Sequence, residues 1–233
     1  MFDAKKLLDQ FLGSQVPGLS GSVRDRAGQA TEIAKNNPMK AGAIAAAIFG
    51  TKTGRKLAGN AAAVGGIAAI AGLGYLAYKN YQSGKAPQAV QQPQPTQELL
   101  PPPKDSPFHP ESPALSNNFA MTLVQAMIAA AKADGHIDAA ERARIMEKLQ
   151  VSELDREAEA FIEKELADPL DIDALVAAAK TEEQKVELYT ASRLTIEPDS
   201  RAERGYLDLL AGRLGLPDQL VEHIEATVSA AKV

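Results

Sequence analysis

The chain of 233 residues has a formal net charge of −5 at neutral pH and no cysteine, which excludes disulfides, thiolate catalysis and zinc–thiolate sites. Residues 1–85 carry eleven Lys/Arg against four Asp/Glu, whereas residues 114–233 carry thirteen against twenty-three. A basic half suits anionic lipid headgroups and an acidic half repels nucleic acid. We therefore expect membrane contact and no nucleic-acid binding.

The first twelve residues are charged where a signal peptide would need its apolar stretch, so we do not expect a cleaved signal. Their apolar residues at positions 4, 7, 8, 11 and 12 share one face of a helix. This helix either lies on a membrane surface or packs against the rest of the protein. It opens a basic N-terminal region, residues 1–56, in which we expect interfacial helices.

An uncharged segment of 22 residues, from Leu57 to Tyr78, is the candidate membrane span. At ~1.5 Å per residue it reaches roughly 33 Å, enough for the ~30 Å hydrocarbon core. We therefore predict a transmembrane helix at residues 57–82. Basic residues are more frequent before it than after it, which predicts a single pass with the N-terminus inside, in the cytoplasm, and the C-terminal domain outside, which in a Gram-negative bacterium is the periplasm. The same composition also fits a buried Ala-rich helix or a flexible Gly-rich tract.

Small residues recur at four-residue spacing along this segment, as at Ala58, Ala62, Gly66 and Gly74. Such a stripe lets helix backbones approach closely in lipid, so the span is also a candidate surface for homo-oligomerisation.

Residues 83–114 form a Pro/Gln-rich linker, because nine of the fourteen prolines fall between positions 87 and 113. Proline removes backbone donors and disfavours helix in the residue before it. We expect an extended or disordered stalk without packed contacts.

Residues 115–233 show the periodicity of helices throughout, which predicts an all-α domain of seven helices. Thr181 with Gln184 and Ser200 with Glu203 have the form of capping boxes, and Gly215 has the form of a helix stop. His223, on the last helix, is expected at the surface.

Two helix–acidic-loop–helix units lie about sixty residues apart in this domain. The first loop follows Ala133 and contains Asp134, Asp138 and Glu141. The second follows Leu194 and contains Glu197, Asp199 and Glu203.

The run from Met127 to Glu141, with its Ala-Asp-Gly-His-Ile-Asp-Ala-Ala-Glu core, resembles the signature of the tellurite-resistance TerB-like domain. The Gly54–Gly59 motif, the apolar Gly/Ala segment and the Gln/Pro stalk resemble the YebE-type branch, inner-membrane proteins of uncharacterised function. The resemblance implies a seven-helix bundle with an acidic surface for divalent cations and no established catalysis. It also implies a list of candidate metal ligands: Asp134, Asp138, Glu141, Glu197, Asp199 and Glu203.

Carboxylate oxygens suit Ca²⁺ or Mg²⁺, but Ca²⁺ needs six to eight oxygens and each loop supplies at most three carboxylates. The alternative is that Asp138 with Glu141, and Ser200 with Glu203, only cap helices. We expect a membrane-anchored, non-enzymatic module that presents an acidic surface to divalent cations or a protein partner, in envelope stress or metal response. The alternatives are a scaffold that oligomerises through its Gly/Ala-rich span and, more remotely, a carboxylate-based hydrolase.

Overall fold

The computed structural model describes residues 2–12, 66–87, 102–133 and 156–231, and these residues contain helices but no strand. The all-α prediction is confirmed for this part of the chain. The helices are α1 (Ala4–Leu12), α2 (Gly66–Gln82), α3 (Asn117–Ala131), α4 (Arg156–Ala167), α5 (Ile172–Ala178), α6 (Glu182–Thr195), α7 (Arg201–Leu214) and α8 (Asp218–Ala231).

Three predicted helix ends are confirmed in atomic detail. The Thr181 hydroxyl accepts a hydrogen bond from the Gln184 amide at 3.3 Å, and the Gln184 side chain accepts one from the Thr181 amide. Ser200 and Glu203 make the same reciprocal pair at the start of α7. Gly215 ends α7 in the left-handed conformation, φ 67°, which a residue without Cβ adopts at no steric cost.

Helix α6 lies at the centre of the bundle and contacts α2, α3, α7 and α8. Its side chains from Val186 to Thr195 are all buried, so the helix has no solvent-facing side over these ten residues. Neighbouring helices therefore approach α6 from several directions. Any polar residue in this stretch must find its partner inside the protein.

Helix α2 contains the second part of the predicted membrane span, residues 66–78, and packs against α1, α6 and α8. Ile67, Ile70 and Leu73 are buried there. A Cβ added at Gly74 would lie only 3.3 Å from Val186 Cγ1, so α2 and α6 approach closely at this point. No helix within the described ranges is both long and apolar enough to cross a membrane. Residues 57–65 of the predicted span lie outside these ranges.

Helix α1 packs on α2 and α3, with Ala4, Leu7 and Leu8 buried. Asn117 fixes its start: the side-chain oxygen accepts a hydrogen bond from the Ala4 amide at 2.7 Å, and the side-chain nitrogen donates to the Phe2 carbonyl at 3.1 Å. The sequence left open whether this helix lies on a membrane surface or packs against the rest of the protein. In the structure it packs against the protein.

Residues 103–115 form a spiral of consecutive turns, which we call the proline strap. Its amide-to-carbonyl hydrogen bonds recur every three residues, from Ser106 to Pro103, His109 to Ser106, Ser112 to His109 and Leu115 to Ser112. Prolines at 107, 110 and 113 occupy the second position of three of these turns, where their fixed φ is favourable. Each residue before those prolines also accepts a side-chain hydrogen bond from the amide two positions later.

The strap is fastened to three helices. Phe108 is 2% exposed, with its ring 6.0 Å from that of Tyr75 and 5.6 Å from that of Tyr78, both on α2. Lys5 of α1 donates to the Pro110 carbonyl at 3.0 Å, and Gln184 of α6 donates to the Ala114 carbonyl at 2.7 Å. The expectation of a stalk without packed contacts is therefore wrong for residues 102–114, because an apolar ring and two side-chain donors hold them on the bundle. Residues 88–101 lie outside the described ranges.

Candidate functional site

The second acidic loop connects α6 to α7 and contains Glu197, Asp199 and, one turn into α7, Glu203. Glu203 is committed to the helix cap, because its Oε2 accepts a hydrogen bond from the Ser200 amide at 2.9 Å. The Glu197 and Asp199 carboxylates accept no hydrogen bond from any described residue, and Asp199 is exposed. The structure therefore leaves two carboxylates of this loop available to a ligand.

The backbone carbonyls of the same loop are occupied by Arg204. Its Nη1 donates to the Pro198 and Asp199 carbonyls, each at 2.8 Å. Calcium usually completes its coordination shell with such carbonyls. Here the Arg204 guanidinium takes the position that the cation would occupy, and its positive charge repels a cation. The loop geometry thus favours a closed turn over a cation site.

The first acidic loop, with Asp134, Asp138 and Glu141, lies outside the described residues, as does the helix predicted after it. Among the residues that the structure describes, no group of three or more His, Asp or Glu side chains is placed to hold a metal ion. The two loops are not shown together, and the six-residue ligand set remains a prediction.

A polar network that the sequence analysis did not predict joins α6 to α8. Arg193 is almost completely buried and forms an ion pair with Glu225 through its Nε. Its other nitrogens donate to the Ile196 carbonyl at 2.9 Å and to the Ser229 hydroxyl at 3.2 Å. Tyr189 donates to the second oxygen of Glu225 at 2.9 Å. The guanidinium and carboxylate are thereby both satisfied, as a buried ion pair requires.

Two buried tyrosines of the core have altered acidity. Burial is the main cause that raises the pKa of Tyr189, and the negative charge of Glu225 raises it further. The positive charge of Arg193 opposes this shift. Burial raises the pKa of Tyr206 to about 12, with a smaller opposing effect from its hydrogen bond to Ser192. The Tyr206 and Ser192 hydroxyls are 3.3 Å apart and both approach the Ala126 carbonyl of α3. Both phenols remain neutral hydrogen-bonding groups at physiological pH.

Glu187 is the most unusual titratable group in the described residues. It is 1% exposed, and its Oε1 has no hydrogen-bond partner. Burial raises the pKa of this carboxyl well above the ordinary value of 4.5, and the charge of Glu183 raises it further. Thr190, one turn later on the same side of α6, is also fully buried with an unpaired hydroxyl. Each unpaired polar atom costs about 1–3 kcal/mol of stability.

His223 is buried rather than exposed, so the surface expectation was wrong. Its ring packs edge-on against Tyr81 of α2, 6.3 Å between centroids. The position faces inward because α8 also packs against α2, a contact that no pattern in the sequence predicts.

Comparison with known proteins places the chain among uncharacterised relatives. The family described as "Protein of unknown function (DUF533)" matches residues 34–228. An "Uncharacterized protein in ampR 5'region" of Yersinia enterocolitica is 30% identical over 129 residues, which cover 55% of this chain and 93% of that relative. No solved structure matches the chain.

Proposed function

Because the chain belongs to the DUF533 family, which is TerB-like, we propose that it is a non-enzymatic module of the YebE-type branch. In this proposal it is a single-pass protein of the bacterial inner membrane and presents its acidic helical domain to a basic protein partner in envelope stress or metal response. The proposed domain is the seven-helix TerB-like bundle, which contains both acidic loops.

The observation that carries this proposal is the acidic excess of α4–α8. Residues 156–231 contain seventeen Asp/Glu against eight Lys/Arg. On α7 and α8, Asp208, Asp218 and Glu222 are exposed and form no ion pair with a described residue. Such a surface attracts cationic partners and repels nucleic acid and anionic lipid.

A basic protein partner is favoured over a divalent cation by the second acidic loop. Arg204 holds the carbonyls that a cation would use, and Glu203 serves as a cap. Glu197 and Asp199 alone are too few oxygens for Ca²⁺. Binding of Ca²⁺ or Mg²⁺ therefore depends on Asp134, Asp138 and Glu141.

Membrane attachment is supported by the uncharged segment from Leu57 to Tyr78 and the basic residues before it. The proposed orientation has the N-terminus in the cytoplasm and the acidic domain in the periplasm, and it requires α1 to leave α3, on which it packs in the structure. The chain should sediment with membranes and resist high-salt extraction. Protease added to intact spheroplasts should cleave the domain. Full-length protein in the soluble fraction would contradict attachment, and protection of the domain until lysis would reverse the orientation.

Partner binding is tested with a fluorescent lysine-rich peptide and the full-length protein, by anisotropy at low and high salt. The double variant Asp218→Asn/Glu222→Gln removes two exposed carboxylates one turn apart on α8. The matched control Glu159→Gln/Glu163→Gln removes a pair with the same spacing and charge on α4. Selective loss of affinity in the α8 variant supports the proposal. Equal loss in both variants would show that the peptide senses only net charge.

The scaffold alternative requires the small residues of α2 to face a second copy of the chain. At Gly74 the close contact is instead with Val186, Phe108 and Thr190 of the same chain. Two carboxylates of the kind that a hydrolase needs are committed to structure, Glu203 to a cap and Glu225 to Arg193. These contacts favour the binding module.

A further inference from the structure

Helix α1 is attached to the bundle as a separate piece of chain. The 53 residues that connect it to α2, positions 13–65, lie outside the described ranges. Its contacts with α2, α3, the strap and α4 all cross this interval of the sequence. Helix α1 therefore lies on the bundle as a bound peptide lies on its receptor, through contacts with elements that are far along the chain.

The start of α1 is recognised through its backbone. The Asn117 side chain of α3 accepts a hydrogen bond from the Ala4 amide at 2.7 Å and donates one to the Phe2 carbonyl at 3.1 Å. Asp3 caps the helix, because its carboxylate accepts a hydrogen bond from the Lys5 amide at 3.0 Å. The two Asn117 bonds require a chain that enters a helix at this point, whatever side chains it carries. Asn117 thus selects a helix start rather than a sequence.

Side chains near this start define an apolar groove with one polar border. Three side chains of α1 are buried in it: Ala4, Leu7 and Leu8. The Phe2 ring lies 5.3 Å, between centroids, from the Phe161 ring of α4. The Lys5 ammonium donates to the Pro110 carbonyl of the strap at 3.0 Å. We call this surface of α2 and α3, bordered by Phe161 and Pro110, the α1 groove.

The walls of the α1 groove are held in place without α1. Helix α3 packs against α5 and α6, and α2 packs against α6 and α8. On one border, Gln125 of α3 donates to Glu165 of α4 at 2.8 Å. On the other, Phe108 fastens the strap to α2 and Gln184 fastens it to α6. The groove therefore persists as a binding surface when α1 leaves it.

Helix α1 is held by few contacts and has no short connection to the bundle. A helix of nine residues is marginal in water by itself, so α1 is ordered as it docks, and this ordering offsets part of its contact energy. Three fully buried side chains hold it within residues 4–8, whereas α6 has ten consecutive buried positions. Another helix that fits the same groove can therefore compete with α1 for it.

We propose that the α1 groove is the docking site for the basic protein partner, which inserts a short amphipathic helix in place of α1. The contacts define its sequence pattern: an aromatic residue, a capping residue, a small residue and a lysine, then two leucines after one further residue. Exposed Glu111, next to Pro110, favours a lysine at this border. The inference rests on the proposed function for the basic character of the partner, and on no assignment of α2 to the membrane. The proposed orientation, in which α1 leaves α3, would leave the same groove to this helix.

The test uses a fluorescent peptide with the sequence of residues 1–12 and the full-length protein, with binding measured by anisotropy. Leu8→Glu in the protein places a charge at a fully buried position of α1 and frees the groove. We expect the peptide to bind this variant about tenfold more tightly than the wild type, because the tethered α1 no longer competes. Leu8→Ala should give a smaller gain, and it replaces the charged variant if that variant does not fold. Failure of the peptide to bind either folded variant would overturn the proposal.

The groove side of the contact is tested in the Leu8→Glu background. Asn117→Ala removes both hydrogen bonds to the helix start and should weaken peptide binding about tenfold. The matched control Asn118→Ala makes the same change at the next, exposed position of α3 and should leave the affinity unchanged. Phe161→Ala should weaken binding through loss of the ring contact with Phe2. Equal affinities in the Asn117 and Asn118 variants would overturn the groove.

The identity of the occupant is tested with altered peptides. The peptide with Phe2→Tyr, Asp3→Ser and Lys5→Arg keeps the pattern and should retain most of the affinity. Lys5→Leu, which removes the charge at Pro110, should bind less tightly. Binding limited to the original α1 sequence would contradict a separate partner. So would a cross-link, through a short bis-maleimide, between Phe2→Cys in one chain and Phe161→Cys in another, because a second copy would then be the occupant.

A last arm separates the groove from the proposed function. The α8 variant Asp218→Asn/Glu222→Gln should bind the α1 peptide as the parent protein does, since both carboxylates lie outside the groove. If this variant lost affinity for the α1 peptide and the lysine-rich peptide alike, both peptides would sense only charge, and the groove would be refuted. If it bound both peptides as the parent protein does, the groove would stand and the acidic α8 surface of the proposed function would be refuted.

Discussion

Arg193 and Glu225 form an ion pair between α6 and α8 in which the guanidinium is almost wholly buried and the carboxylate is 30% exposed. Tyr189 and Ser229 complete the hydrogen bonding on the two sides. The pair fixes the last helix to the central one.

Glu225→Ala should lower the free energy of unfolding by about 3 kcal/mol, because it leaves Arg193 buried without its counter-ion. Urea denaturation at neutral pH measures this loss. The double variant Arg193→Met/Glu225→Leu should be more stable than the single variant, since no charge is then left unpaired. This account would be contradicted if the double variant lost as much stability as Arg193→Met and Glu225→Leu lose when their separate effects are added.

Gly74→Leu should cost about 2–3 kcal/mol, because its side chain would enter space held by Val186, Phe108 and Thr190. Gly205→Ala in α7 is the matched control: a Cβ there has no neighbour within 4 Å, so helix propensity should stabilise the protein by about 0.5–1 kcal/mol. Thermal unfolding compares the two. Equal tolerance at both positions would mean that α2 does not lie against α6.

Phe108→Ala should destabilise the protein by about 3–4 kcal/mol through loss of its contacts with Tyr75 and Tyr78. Hydrogen exchange should increase in residues 103–115 and in α2, and remain unchanged in α7. Phe108→Leu should recover part of the loss. Unchanged exchange in the strap would indicate that it is held without this ring.

Glu203→Gln distinguishes a cap from a metal ligand, because glutamine can still accept the Ser200 amide hydrogen bond. We expect near wild-type stability and an unchanged melting-temperature response to calcium, whereas Ser200→Ala should cost about 1 kcal/mol with or without calcium. A calcium response that disappears in Glu203→Gln would instead place this carboxylate in a cation site.

Features that depend on neighbouring residues along the chain could be predicted from the sequence. The caps at Thr181 and Ser200 and the stop at Gly215 arise from hydrogen bonds and backbone angles within four residues. The placement of α2 could not be predicted in the same way, because Gly and Ala satisfy both a lipid environment and a tight protein interior. The choice depends on α6 and α8, which lie far away in the sequence.

Two missed features did leave signals. Prolines at 107, 110 and 113, each preceded by Ser or His, repeat with the period of the strap, but a composition average over the whole linker hides that period. Apolar residues at 186, 188, 189, 191 and 194 occupy more than one face of α6, which indicates a helix buried on all sides. A Glu within such a helix is expected to be buried, and Glu187 is.

Chain order gives α2 a vulnerable period during synthesis. Two of the helices that bury it are made much later, α6 about 100 residues after α2 and α8 after that. At ribosomal speeds of about 5–20 residues per second, the apolar helix waits roughly 5–30 s before its binding surface is complete. During this interval chaperones have access to α2 without competition from α6 or α8. Translation speed, as well as equilibrium stability, therefore influences where the helix first settles.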